Sequence, residues 1–153
     1  MHTRAALIVG IAVVAAAVPL TAMADRNSHK GKSVRAVVAE HIDAVEDCDA
    51  KRLVAGYAKD AKLFFPDGVV VEGRAALQAL YADFVKPRDQ GGLCGITATP
   101  VDRYRRGGTV FVKFRVEAAF LAKEYFATDG YVIAKGKIQS EVSTFDGSKL
   151  VFK

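Results

Sequence analysis

The chain has 153 residues, too short for two ordinary domains and long enough to bury one core. Its 51% apolar content is inflated by the first 24 residues, and after them no long uncharged apolar run remains, which excludes a helical membrane body. The formal charge is +5, and without Arg4 the basic count falls from 22 to 21 against 17 acids, leaving +4, a weak preference for acidic surfaces.

Residues 1–24 place Arg4 before an apolar run that closes on Ala22, Met23 and Ala24, the layout of a signal peptide cleaved after Ala24. Ala5 to Ala24 is also nearly long enough for an uncleaved anchor. Cleavage is the expectation, because small residues at the cut and Pro19 suit a peptidase better than a membrane helix. A periplasmic or secreted protein with no membrane contact after cleavage follows. Residues 25–32 are polar, without apolar periodicity, and read as a flexible lead-in to one domain over 33–153.

Ser33 is a reasonable N-cap for a helix over 34–47, in which Val34, Val37, Val38, His41, Ile42 and Val45 form one stripe. Asp49 caps a second, shorter helix with Leu53, Val54 and Tyr57 on a common face and Gly56 as a weak point. Residues 61–65 and 69–71 read as a hairpin across Pro66-Asp67-Gly68. Gly73-Arg74 opens a third helix, with Leu77, Leu80, Tyr81 and Phe84 inward and Pro87 beyond its end. After a Gly-rich loop, strands are expected over 96–104, 109–120, 125–134 and 137–145. In the second of these, Val110, Val112, Phe114 and Val116 alternate with Phe111, Lys113, Arg115 and Glu117, one face packed and the other wet. Three helices followed by a meander define an α+β layer fold.

Cys48 and Cys94 allow one intramolecular bridge, which export would preserve; two buried thiols are the alternative. Lys30, Lys32 and Arg35, and then Arg103, Arg105 and Arg106, form basic clusters without an interleaved aromatic array or a nucleic-acid motif, so no nucleic-acid partner is expected. His2 and His29 lie outside the folded region, and no metal cluster, phosphate cradle or serine-nucleophile motif accompanies His41. Function without metal or cofactor is the default.

Residues 57–85, YAKDAKLFFPDGVVVEGRAALQALYADFV, resemble the front half of the nuclear transport factor 2-like superfamily, which includes SnoaL-like polyketide cyclases and ketosteroid isomerase. Tyr57, Asp60 and Ala61, the Asp67-Gly68 turn and Gly73-Arg74 carry the likeness, and 125–145 resembles the family's final hairpin. The resemblance implies three helices on a strongly curved, mostly antiparallel sheet, forming a cone around an internal pocket. It also leaves a homodimer through the outer sheet face open.

The same resemblance sets His41 where the isomerase carries its oxyanion-binding tyrosine, and Phe65 where it keeps its catalytic carboxylate, so the isomerase reaction is not expected. Asp129 falls near the family's acidic pocket position, sharing a strand face with Tyr125 and Tyr131. His41 and Asp129 are the candidate acid–base pair, with Asp129 raising the basicity of His41; a satisfied core histidine and an edge aspartate are the plainer alternatives. Tyr57, Tyr81, Tyr131 and Phe114 are the candidate ligand contacts, while Gln139 and Glu141, on one face of the last strand, read as outer-face polar residues, a pocket carboxylate with its neighbour being the alternative.

Three functions fit: binding of a small, mostly hydrophobic molecule; a cofactor-independent lyase, isomerase or cyclase using His41 and Asp129; or a pocketless interaction module, its cone filled by Phe111, Phe114, Phe120 and Phe126.

Overall fold

Two side-chain caps start the helical layer. In a computed structural model of the protein, which describes residues 31–153, the Ser33 hydroxyl accepts from the Ala36 amide at 3.2 Å and opens α1 (Val34–Glu46). Asp49 does the same for α2 (Ala50–Ala55), accepting from the Arg52 amide at 2.9 Å. The leader falls outside the described residues. Among those described, no helix is long and apolar enough to cross a membrane.

The second helix is shorter than its apolar pattern suggests. It ends at Gly56, and Tyr57 opens β1 (Tyr57–Phe64) instead of completing a helical face. The Gly56 carbonyl accepts from the Ile138 amide at 3.0 Å, so the chain is already engaged with the sheet at that point. Tertiary pairing overrides the i, i+4 spacing.

The hairpin turn leads from β1 to β2 (Val70–Glu72), with Gly68 at φ 84°. Gly73, at φ 81°, is the first residue of α3 (Gly73–Phe84), and a short 3₁₀ turn (Arg88–Gln90) follows Pro87. Then come β3 (Ile96–Arg106), β4 (Thr109–Ala118), β5 (Tyr125–Ala134), β6 (Lys137–Ser143) and a last 3₁₀ turn (Gly147–Lys149). The six strands form one sheet in the order β2-β1-β6-β5-β4-β3, antiparallel except where β1 and β6 run side by side in parallel. The expected α+β architecture is present.

Alternation in β4 is as the sequence indicates: Val110, Val112, Phe114 and Val116 are buried. Phe111 and Phe126 are exposed on the other face, so the cone is not filled by them, although the exposed apolar sheet face expected of an interaction module is present with Val132 and Val142. Gly130 sits under the Phe111 ring, which a Cβ there would meet at 2.7 Å. On the inner face the core gathers Val37, Val38 and Ala44 of α1, Leu53 and Val54 of α2, and Leu77 of α3.

The last strand departs from simple alternation. Ile133 faces Ile138 while Val132 faces Ser140, a register shift that takes Gln139 off the face of Glu141. Gln139 donates to the Ala134 and Lys137 carbonyls of the hairpin, and Glu141 turns inward. The shared outer face expected for the two residues is therefore corrected on both counts.

Cys48 and Cys94 are bonded to each other, with Cα atoms 5.4 Å apart. The bridge ties the α1–α2 corner to the loop before β3. At that loop Glu46 of α1 accepts from the Ala98 amide of β3 at 2.9 Å, a second link between the layers.

Candidate functional site

A cavity of about 650 Å³ lies between the inner sheet face and the helices. Ile42, Val45, Leu80 and Phe84 supply its helical wall; Leu63, Ile96, Phe114, Val116 and Ala127 supply apolar surface from the sheet. Helices and strands contribute the polar groups His41 from α1, Tyr81 from α3, Asp129 and Tyr131 from β5, and Glu141 and Ser143 from β6, and turns add Asp67, Asp146 and Ser148.

Strand register explains why the acids converge. Asp129 is opposite Ser143 and Tyr131 is opposite Glu141, so Asp129 and Glu141 are diagonal neighbours on one face of adjacent antiparallel strands. Both sit among apolar walls, where burial penalises charge. Burial pushes Asp129 up to about 6, against the pull of the Ser143 and Tyr131 hydroxyls and the Thr144 backbone. The Tyr131 hydroxyl donates to Asp129 Oδ2 at 3.3 Å, and Oδ1 is buried without a hydrogen-bond partner.

Glu141 is 3% exposed, and burial raises it well above the ordinary glutamate range, with the charge of Asp129 adding to the shift and the Tyr57 hydroxyl opposing it. The two carboxyls share one buried site, so a negative charge on Asp129 tightens the hold of Glu141 on its proton. Tyr57 donates to Glu141 Oε2. That leaves Tyr57 no proton for its 2.5 Å contact with Tyr81, so Tyr81 donates to Tyr57 and a chain of hydroxyls runs from the cavity wall to the buried carboxyl. Burial and the neighbouring carboxylates push Tyr57, Tyr81 and Tyr131 up, keeping all three as protonated donors.

His41 stands at the centre of these rings, with centroids 5.8, 6.1 and 5.6 Å from Tyr57, Tyr81 and Tyr131, all at steep angles. It is 7% exposed and its Nδ1 is buried without a hydrogen-bond partner. Burial alone pulls it down to about 4. The expectation that Asp129 raises the basicity of His41 is thereby corrected: both residues border the same cavity, yet no hydrogen bond joins them and no acidic charge offsets the burial of the ring.

Of the expected ligand contacts, Tyr81, Tyr131 and Phe114 border the cavity. Tyr57 does not; it lies behind them, fully buried, and reaches the site through its hydroxyl. Phe65 borders the cavity with its half-buried ring. Sequence reasoning missed Ser143 and preferred the outward reading for Glu141, which it grouped with Gln139 on one strand face; the register shift that separates the two has no signal in the spacing. Among the described residues, no three His, Cys, Asp or Glu side chains are grouped to hold a metal ion.

Solved structures share this architecture at low identity. An NTF2-like protein from Cytophaga hutchinsonii is 18% identical with a TM-score of 0.60, over 78% of this chain and 96% of that one. SalBIII, an epoxide hydrolase/cyclase-like enzyme of pyran ring formation in the polyether salinomycin, is 20% identical with a TM-score of 0.62, over 78% and 95%. TerC, co-crystallised with polyporic acid, is 17% identical with a TM-score of 0.61, over 75% and 92%. No curated protein matches the sequence significantly. The SnoaL-like domain profile matches residues 38–141, a span that opens in α1 three residues before His41 and closes on Glu141, and the chain belongs to the SnoaL-like domain family.

Proposed function

We propose that the protein binds a small, mostly hydrophobic molecule in the cavity of its cone. The single observation that carries this reading is the cavity itself: about 650 Å³ of mainly apolar wall with a few convergent polar groups, within the roughly 300–1,000 Å³ usual for small-molecule sites. Its unpartnered His41 Nδ1 and Asp129 Oδ1 supply points at which a ligand would be oriented. Residence outside the cytoplasm belongs to the same reading, supported by the leader-like first 24 residues and by the Cys48–Cys94 bridge.

Native mass spectrometry of protein recovered from its own host's envelope tests this directly. A retained species of a few hundred daltons is expected, released when the fold is denatured. Protein that is uniformly empty, and whose melting temperature no apolar compound raises, would overturn the binding reading.

A second reading, a cofactor-independent lyase, isomerase or cyclase, is favoured by the Asp129–Glu141 pair. Two carboxyls whose environments separate their proton affinities suit a base and an acid at one site. In this reading Asp129 takes a proton and Glu141 gives one, with His41 a neutral hydrogen-bonding group. Asp129→Asn then removes turnover of a discovered substrate while its affinity persists; a variant of undiminished kcat would remove Asp129 from the chemistry.

A further inference from the structure

The chain as a whole carries 22 basic residues against 17 acidic ones, yet its cavity is lined by Asp67, Asp129, Glu141 and Asp146 and by no lysine or arginine among the described residues. These acids are not equivalent. Asp146 at the rim is paired with Lys149 at 3.4 Å, and Asp67 in the exposed hairpin turn accepts from the Val69 amide. Asp129 and Glu141 lie within, and none of their hydrogen-bond partners is a cation.

Taking the cavity as the binding site, we propose that it selects ligands carrying a basic nitrogen, a protonated amine on a mostly apolar body, over neutral or anionic molecules of the same shape. Three independent observations converge on this class. The Asp129 Oδ1 atom is a buried acceptor with no donor, and an ammonium N–H gives a carboxylate a charge-assisted hydrogen bond stronger than a neutral hydroxyl gives. His41, more than nine-tenths buried and bordering the same cavity, holds a further unpartnered ring nitrogen. Tyr81, Tyr131 and Phe114 add π-rich surface beside these groups, which attracts a cation in a desolvated setting.

Charge balance points the same way. The low proton affinity of His41 keeps it neutral, so it offers no positive charge to an anion. A carboxylate ligand would add a negative group next to Asp129, within apolar walls that screen it poorly. An ammonium group would cancel that charge, and the pairing would hold Asp129 ionised.

The test uses one apolar cage with three head groups: 1-adamantylmethylamine, 1-adamantylmethanol and adamantane-1-carboxylate, titrated calorimetrically into the disulfide-bonded protein at neutral pH. The amine is expected to bind at least about ten-fold more tightly than the alcohol, and the carboxylate more weakly than either. In Asp129→Asn the amine and alcohol should bind alike. An alcohol that equals or exceeds the amine in the wild type overturns the proposal while leaving the cavity a binding site. Silence from all three also overturns it, and ligand retention in native mass spectrometry decides the binding reading separately. The wild-type series needs no variant to fold; Asp129→Thr, which also removes the charge and suits a strand, is the substitute should Asp129→Asn prove unstable, and a preference for the amine unchanged in whichever variant folds would sink the charge argument.

Discussion

His41 and Asp129 respond to pH in opposite senses. The imidazole, near 6.5 when free, is pulled down to about 4 by burial, so between those values the unfolded chain takes up a proton that the folded one refuses. Stability contributed by neutral His41 is therefore complete above about 6.5 and lost as pH falls towards 4. The carboxyl of Asp129, near 3.8 when free, is raised to about 6, so its contribution is complete below about 4 and lost as pH rises towards 6. Urea denaturation from pH 4 to 7 should separate the two. His41→Gln is expected to flatten the acid side, narrowing its deficit to wild type by about 3 kcal/mol as pH falls from 6.5 to 4. Asp129→Asn should gain on wild type as pH rises through the same range.

Tyr57 is structural support for the site rather than part of its wall. Its hydroxyl is the hydrogen-bond donor to a carboxyl that is almost wholly buried. Tyr57→Phe is expected to cost about 1–3 kcal/mol in denaturant unfolding, since it leaves Glu141 without that partner. The same variant should push Glu141 further up, because the Tyr57 hydroxyl is what opposes its rise. Carboxyl chemical shifts followed through a pH titration would read that change, and an unmoved Glu141 would refute the role given to Tyr57.

At the scale of elements, the six residues of α2 lean on their cap. A helix this short gains little from its own ladder, so Asp49→Ala should lower stability by about 1 kcal/mol and loosen the segment leading into Tyr57. Amide exchange confined to residues 50–56 would register it. The helices and strands were largely legible because their signals are local: Ser33 and Asp49 as caps, Pro87 as a stop, the two-residue periodicity of β4. Tyr57 was misplaced because its spacing from Leu53 fits a helix, while the sheet contact that claims it lies some 80 residues away in sequence. Glu141 was misread for a similar reason. The register shift at Ile133 and Val132 is a property of the β5–β6 pairing, and one residue of shift exchanges the faces of everything beyond it. Pattern and family likeness could name His41 and Asp129 as candidates, and both border the cavity, but the relation between them was not legible, since electrostatics depends on distances that no spacing encodes.

Across the whole molecule, the bridge between Cys48 and Cys94 spans 46 residues and joins the helical layer to the sheet. Closing a loop of that length stabilises by about 4 kcal/mol in the chain-entropy view. Reduction under native conditions should lower the unfolding midpoint accordingly, with the earliest loss of protection at the α1–α2 corner and the start of β3. A midpoint indifferent to reductant would mean that the remaining core alone holds these parts together.

The contact between Glu46 and the Ala98 amide reaches further than the joining of two layers. β3 is an end strand, and its outward-facing backbone is where a foreign strand could attach. That amide is already taken by Glu46, Pro100 has no N–H to offer, the ladder is irregular between Pro100 and Asp102, and Arg103, Arg105 and Arg106 crowd like charge along the rest. The opposite margin is β2, only three residues long. Growth of the sheet by strand addition is thus discouraged on both sides, and self-association of this protein would have to proceed by side chains across the broad outer face, where Phe111, Phe126, Val132 and Val142 stand exposed.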